Sequence, residues 1–224
     1  MICSKQLILS LIISILLSFK APEKNIRYIS LGDSYTICTG AGFNESWPVL
    51  LSKHLNETGI NNTLVANPSR SGYSTTNLID YELPVMDTSK ADFATLLIGV
   101  NDWVRGINAQ TFKKNLSYIL DYVRKRLTNK KNLIVISIPD FGVTPQGPVI
   151  VSGRDISAGI SEFNSIIKSE AKKRGLALVD IFEISKEMKN NPDLVASDGL
   201  HPSAKEYAIW ESLIFAETKK LFSK

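Results

Sequence analysis

Short apolar runs alternate with longer amphipathic stretches from Ile26 onward. The runs are rich in branched and aromatic residues and carry no regular polar face, which is typical of strands covered on both sides. The predicted strands span residues 27–31, 63–66, 93–98, 133–138 and 176–179. This alternation of strands and helices predicts an α/β fold built on a parallel sheet.

Apolar residues recur at helical spacing between the predicted strands. The predicted helices lie around residues 47–55, 112–127, 155–174 and 203–221. Gly175 is expected to end the third helix, and Ser203 is expected to cap the fourth. The fourth helix should turn a set of large apolar side chains toward the core: Tyr207, Trp210, Leu213, Ile214 and Leu221.

Four polar motifs are placed where they can meet at one edge of such a sheet. Ser34 follows the first predicted strand, Gly72 the second and Asn101 the third. The carboxyl ends of parallel strands share an edge, where open α/β sheets bind ligands. The segment from Asp198 to His201 precedes the last helix and can fold back over the same edge. We therefore expect these motifs to converge.

The residue types at these positions fit acyl transfer. Ser34 is a candidate nucleophile, and His201 is a candidate base that Asp198, three residues earlier, would orient. The N–H groups of Ser34 and Gly72 and the side-chain amide of Asn101 are candidate donors to an oxyanion. Each residue also has a plainer interpretation, because Gly, Asp, Asn and Ser are common in turns.

Neighbouring polar residues are assigned structural roles. Asp33 is expected to fix the turn through side-chain to backbone hydrogen bonds. Asp102 is expected to orient its loop, and His54 to lie on the surface of an amphipathic helix.

The motifs Gly32-Asp33-Ser34-Tyr35, Ser71-Gly72-Tyr73, Gly99-Val100-Asn101-Asp102 and Asp198-Gly199-Leu200-His201-Pro202 resemble those of one family. The chain is similar to SGNH hydrolases, also called GDSL esterases and lipases, over residues 26–224. The resemblance implies a flavodoxin-like three-layer α/β/α sandwich with a five-stranded parallel sheet in the order 2-1-3-4-5. It also implies a triad of Ser34, His201 and Asp198. Tyr35 departs from the leucine of the family motif, which bears on the substrate pocket.

The expected activity is that of a serine esterase or acylhydrolase that works through an acyl-enzyme intermediate. Its substrate would be a small or polymeric ester, such as a lipid, a lysophospholipid or another acyl ester or thioester. Tyr35, Trp103 and Phe141 are candidates for the substrate rim, with loop packing as the alternative for Trp103 and Phe141. Three other functions stay open: a carbohydrate O-acetyl esterase, an acyltransferase, and a binding protein that keeps the fold without turnover.

Composition narrows the remaining chemistry. The chain has 224 residues, a formal charge of +4, two cysteines and two histidines. This set offers no metal-ligand spacing, so we expect no metal, no other cofactor and no intrachain disulfide. The basic residues of 124–131 are interpreted as the solvated end of a helix, and no nucleic acid partner is expected.

The N-terminal residues form a separate unit. Lys5 precedes an apolar stretch that ends near Phe19. A basic residue before a short apolar run is typical of a secretory signal. Residues 1–21 are predicted to be a signal peptide or an N-terminal membrane anchor, with the hydrolase domain in 26–224. We expect an exported protein, in which this segment could contact a membrane surface; the sequence does not indicate the oligomeric state.

Overall fold

The computed structural model describes residues 25–222. Five strands form one parallel sheet in the order β2-β1-β3-β4-β5. The strands are β1 Ile26–Gly32, β2 Asn62–Ala66, β3 Phe93–Leu97, β4 Leu133–Ile136 and β5 Ala177–Val179. The predicted fold class and strand order are confirmed, and the predicted strand ends differ from the observed ones by one or two residues.

Helices of very different length connect the strands. They are α1 Ser34–Ile37, α2 Trp47–Glu57, α3 Thr75–Asn77, α4 Leu83–Ser89, α5 Val100–Val104, α6 Ala109–Arg126, α7 Gly147–Ile150, α8 Ile156–Arg174 and α9 Ala204–Phe222. A single π-helical turn, Leu78–Glu82, joins α3 to α4. Short helical turns begin directly after β1 and near the end of β3, so both strands deliver backbone N–H groups to the same edge of the sheet.

The helices pack in two groups around the sheet. Helix α2 packs against α9, whereas α6 packs against both α4 and α8. Every residue of β3 and β4 is buried, as expected for strands that are covered on both faces. The core is therefore continuous from one helical layer through the sheet to the other.

The ends of the long helices follow their sequence signals in most cases. Asp155 caps α8 by accepting the Ala158 N–H, and Gly175 ends that helix in the left-handed conformation, with φ +57°. Ser203 directly precedes α9, but its hydroxyl donates to the Asp193 carbonyl at 2.6 Å. It therefore ties α9 to the preceding loop.

The prediction that Leu213 of α9 lies in the core is wrong. Leu213 is 39% exposed, whereas Tyr207, Trp210 and Ile214 are fully buried. Leu213 directly precedes Ile214 and so points about 100° away from it around the helix. Leu221 is intermediate in exposure, since it is partly buried and packs against the core.

Three other sequence predictions concern His54, Cys38 and the basic segment 124–131. His54 is partly exposed, with its Nδ1 atom 3.2 Å from Glu211 Oε1 and its ring stacked on Phe215. Cys38 is buried and forms no disulfide within residues 25–222. In the basic segment, Arg126 pairs with Asp87, and Lys131 donates to the carbonyls of Arg174 and Gly175 at the end of α8.

The predicted signal or anchor in 1–21 lies outside the described residues. None of the helices in 25–222 combines the length and hydrophobicity that a bilayer span needs.

Candidate active site

Ser34 lies at a sharp turn between β1 and α1. The strand ends at Gly32, and Asp33 caps the short helix by accepting the Tyr35 N–H at 3.0 Å. Ser34 is the first residue of α1 and is 6% exposed. Its N–H belongs to the first turn of the helix, where backbone donors have no intrahelical partner. The turn therefore presents a hydroxyl and an N–H together.

Asp198 and His201 form a rigid pair before α9. Asp198 Oδ2 lies 2.6 Å from His201 Nδ1, and Asp198 Oδ1 accepts the N–H groups of Leu200 and His201, each at 2.9 Å. The Ala196 N–H donates to the His201 carbonyl at 2.8 Å and closes the loop. Asp198 therefore fixes both the backbone and the ring orientation of His201.

The same contacts set the charge of Asp198. Partial burial raises the pKa of this carboxyl, but the hydrogen bonds from His201 and from the two backbone N–H groups outweigh burial and hold the pKa below its usual value of 3.8. Asp198 is therefore ionised at neutral pH and is suited to stabilise a cationic imidazole.

The loop after Ser34 packs directly against the His201 loop. A Cβ at Gly40 would lie 2.6 Å from Ala196 Cβ and 2.8 Å from the Pro202 carbonyl oxygen, so only a glycine allows this approach. The Tyr35 and His201 rings meet edge to face, with centroids 6.0 Å apart, and the Tyr207 hydroxyl donates to the Thr39 carbonyl. The segment that carries Ser34 and the loop that carries His201 are therefore in direct contact.

The hydroxyl and the N–H of Ser34 have no hydrogen-bond acceptor in the described part of the chain. Within residues 25–222, no hydrogen bond joins the Ser34 hydroxyl to His201, and the N–H groups of Ser34 and Gly72 have no protein acceptor. Catalytic hydrogen bonds are often loose in the absence of substrate and tighten when it binds.

Gly72 and Asn101 lie on two loops that are bound to each other. Gly72 has φ +84°, a conformation that favours glycine. The Asn101 amide donates to the Tyr73 carbonyl at 2.9 Å, and Arg105 donates to the Gly72 carbonyl at 2.6 Å. These bonds hold the Gly72 loop beside α5. The second N–H of the Asn101 amide takes no part in them.

Asp102 reinforces this connection in the way predicted for it. Its two carboxylate oxygens accept the Thr75 N–H at 2.8 Å and the Thr75 hydroxyl at 2.5 Å. It is buried and has no hydrogen bond with His201. Asp102 orients the loop, whereas Asp198 contacts the histidine.

The three predicted rim residues lie in the core rather than on a rim. Tyr35, Trp103 and Phe141 are 3%, 6% and 3% exposed. Trp103 packs edge to face against Phe141. The guanidinium carbon of Arg154 lies over the Trp103 ring, 3.7 Å from the ring centroid. The rim prediction is corrected for all three residues, because burial leaves their rings almost no exposed surface with which to contact a substrate.

A groove that sequence analysis missed begins beside the Gly72 loop. Its volume is about 890 Å³, and it is lined by Ile37, Asn67, Pro68, Ser69, Arg70, Ser71, Tyr73, Tyr81 and Val85. Tyr81, which is 59% exposed, stacks on Tyr73 with ring centroids 5.8 Å apart. An exposed tyrosine in a helical segment gives no sequence signal of a groove, because its partners come from other elements.

Within residues 25–222, no three His, Cys, Asp or Glu side chains are grouped in a way that could hold a metal ion. The reactive groups gathered at this edge are thus a serine hydroxyl, an imidazole paired with a carboxylate, and amide donors. Together they can transfer an acyl group to a hydroxyl.

A family model described as the GDSL-like lipase/acylhydrolase family matches residues 30–209. The chain belongs to this family. The match includes Ser34, Gly72, Asn101, Asp198 and His201. This GDSL-family protein is therefore an enzyme that hydrolyses ester bonds, as predicted from its motifs.

Similar proteins agree with this assignment. An arylesterase of Vibrio mimicus is 25% identical over 87% of this chain and 88% of its own. The psychrotrophic esterase EstA from Pseudoalteromonas sp., in a structure inhibited by monoethylphosphonate, has a TM-score of 0.68 and 19% identity over 89% and 100% of the two chains. A family 3 carbohydrate esterase of Clostridium thermocellum has a TM-score of 0.70 and 19% identity over 88% and 97%. At these identities, the two structures establish the shared fold alone.

Proposed function

We propose that this GDSL hydrolase cleaves carboxylic esters through a Ser34-His201-Asp198 triad and an acyl-enzyme intermediate. The observation that carries the proposal is the 2.6 Å contact between Asp198 and His201 on a loop that packs against the turn of Ser34. A carboxylate on Nδ1 leaves Nε2 of the imidazole as the acceptor of a serine proton.

The proposed reaction has two half-reactions. His201 takes the Ser34 proton as the Ser34 oxygen attacks the ester carbonyl, and the resulting imidazolium is stabilised by Asp198. His201 then gives that proton to the departing alcohol, and Ser34 remains acylated. Water repeats the sequence: His201 takes its proton, hydroxide attacks the acyl group, and the returning proton frees Ser34 with release of the acid.

The tetrahedral oxyanion would be held by the N–H groups of Ser34 and Gly72 and by the Asn101 amide. The two N–H groups belong to the backbone, and a hydrogen bond to the Tyr73 carbonyl orients the Asn101 amide. This supports the role, because donors that are already oriented need no reorganisation as charge develops.

We propose an acyl ester, such as a lipid or aryl ester, as the substrate class. The family description and the arylesterase relative support this class. The alternative substrate is a carbohydrate O-acetyl ester, which the groove beside Gly72 favours because hydroxyl and amide groups line it together with two tyrosines. Transfer of the acyl group to an alcohol other than water would use the same residues.

Labelling with a fluorophosphonate tests the triad. We expect a phosphonyl adduct on Ser34 in residues 25–224, and no adduct in the His201→Ala variant, because the hydroxyl needs a base to attack. The inhibition of EstA by a phosphonate supports the choice of probe. Ser161→Ala, which changes an exposed serine of α8, is the matched control and should keep the label. A folded protein without an adduct on Ser34 would favour the binding-protein alternative.

A substrate panel separates the two substrate classes. Aryl and glyceryl esters of increasing acyl length would be compared with acetylated sugars at matched concentration. Higher kcat/KM for chains longer than acetyl supports the acyl-ester proposal, whereas a strict preference for sugar acetates supports the alternative.

Asn101→Ala is expected to lower kcat by about 10² to 10³ with a small change in KM, because one donor to the oxyanion is lost. Steady-state kinetics on an aryl acetate would measure this. The bond from Asn101 to Tyr73 is lost in the same variant, so the thermal midpoint must be measured in parallel. A normal kcat would remove Asn101 from the proposed oxyanion hole.

A further inference from the structure

Two fully buried carboxyl groups hold the turn that carries Ser34. Glu82 Oε2 accepts the Gly32 N–H at 2.9 Å, and Asp33 Oδ1 accepts the Tyr35 N–H at 3.0 Å. Both side chains are 0% exposed. The two acceptors thus fix the backbone on either side of Ser34, one from within the turn and one from the π-helical turn that joins α3 to α4.

Each carboxyl has a second oxygen that no described residue contacts through a hydrogen bond. Asp33 Oδ2 and Glu82 Oε1 are buried and form no hydrogen bond within the described residues. Leaving a charged carboxylate oxygen buried and unpaired is costly, so such groups gain a proton or a partner. No lysine, arginine or histidine of residues 25–222 forms an ion pair with either group.

The surroundings favour protonation of this pair. Burial raises the pKa of Asp33 to about 8, and the nearby charge of Asp102 adds to that rise. Burial also raises the pKa of Glu82 well above its usual value, and the charge of Asp33 adds to it. Tyr35 and Tyr207 are further titratable groups near Asp33, and burial raises the pKa of each, which keeps both neutral.

We propose that Asp33 and Glu82 share one proton, in a hydrogen bond between Glu82 Oε1 and Asp33 Oδ2, and that this acid pair positions Ser34 for attack. The pair then carries one negative charge, and each of its four oxygens has a partner. Loss of the shared proton to solvent would leave two negative charges in a buried site and loosen the turn. Glu82 is a positioning residue, since it acts on Ser34 through the Gly32 backbone.

Placement of Glu82 in a π-helical turn is consistent with this role. Wide turns of this kind are uncommon and are frequently found at functional sites. Here the turn spans Leu78–Glu82 and ends on the acid that holds Gly32. The wide turn and the buried acid are thus parts of one arrangement.

The first test measures stability against pH in the wild type and in Glu82→Gln. A glutamine oxygen accepts the Gly32 N–H, and its NH₂ group donates to Asp33, so the pair is satisfied without a proton. The native wild type holds one proton that the unfolded chain loses above pH 4.5, so its stability falls as pH rises toward 8. The ratio of the wild-type unfolding equilibrium constant to that of Glu82→Gln should therefore rise about tenfold per pH unit between pH 5 and 8.

The second test is kinetic and rests on the proposed function. The wild-type kcat for an aryl acetate should fall above about pH 8, and the Glu82→Gln variant should lose this alkaline decline. Glu82→Ala, which removes the acceptor of the Gly32 N–H, should lower kcat at every pH with little change in KM. A failed triad proposal would abolish Ser34 labelling but would leave the stability result intact, so the two failures are distinguishable.

Glu206→Gln is the matched control. Glu206 is also fully buried, and burial raises its pKa to about 7. One of its oxygens has no partner within residues 25–222, and the other accepts the Trp210 ring N–H, so Glu206 does not hold the backbone of the turn. Replacing Glu206 should change how the free energy of unfolding depends on pH, but it should leave the alkaline decline in kcat unchanged. If Glu82→Gln does not fold, Asp33→Asn with Glu82 intact provides the reciprocal variant. Parallel stability curves for wild type and variant, or an unchanged alkaline decline, would overturn the proposal.

Discussion

Ser34→Ala is expected to lower kcat for an aryl ester by about 10⁴ to 10⁶, because the acyl-enzyme can no longer form. The fold should be unaffected, since the Ser34 hydroxyl makes no hydrogen bond with residues 25–222. Progress curves at high enzyme concentration, together with the thermal midpoint, would measure both quantities. The remaining activity would report the contribution of the amide donors alone.

Comparison with His201→Ala sharpens this expectation. Residues that act as one unit give losses that do not add, so the double variant Ser34→Ala/His201→Ala should be about as impaired as either single variant. If the losses multiplied, the two side chains would act independently and the triad would be contradicted.

Gly32→Ala is expected to destabilise the protein by roughly 3 kcal/mol or more, or to prevent folding. A Cβ at this position would lie 2.2 Å from both the Leu97 carbonyl oxygen and Thr36 Oγ1. The Leu97 oxygen belongs to the backbone of β3, which pairs directly with β1 and cannot withdraw without breaking the sheet. Urea unfolding monitored by tryptophan fluorescence would measure the change.

Gly59→Ala separates steric overlap from backbone strain. Gly59 also has a positive φ, +84°, but no atom lies within 4 Å of a Cβ placed there. Its replacement should cost about 1 kcal/mol from conformation alone. Equal losses at both positions would show that the approach of β1 to β3 is not the reason for Gly32.

Local sequence determined the sheet and most of its helices. Continuous apolar runs such as Phe93–Leu97 bury both faces of a strand, and this signal needs no knowledge of distant residues. Chain order then placed Ser34, Gly72 and Asn101 after successive strands. The pairing of Asp198 with His201 was also local, since three residues in one turn separate them.

Other features depended on contacts between elements that are distant in sequence. The short helices between Thr75 and Ser89 were not predicted, because Asp102 and Arg105, from α5 and its C-terminal end, hold their start through side-chain hydrogen bonds. Leu213 fits the apolar pattern of α9 yet lies at the edge of the face that meets the core. Tyr35, Trp103 and Phe141 were predicted at a rim because burial of an aromatic residue cannot be read from its neighbours in sequence.

Sequence alone thus predicted the family from the order of its motifs, and the resemblance to that family implied the strand order, both of which are confirmed. The reactive groups Ser34, Asp198 and His201 stay a prediction from the same motifs. Tertiary structure alone decided which aromatics are core, where the groove lies, and that Glu82 meets the turn of Ser34 fifty residues earlier. Nothing in the sequence around Glu82 indicates that its side chain is buried. Its role arises only when the π-helical turn brings it against the Gly32 backbone.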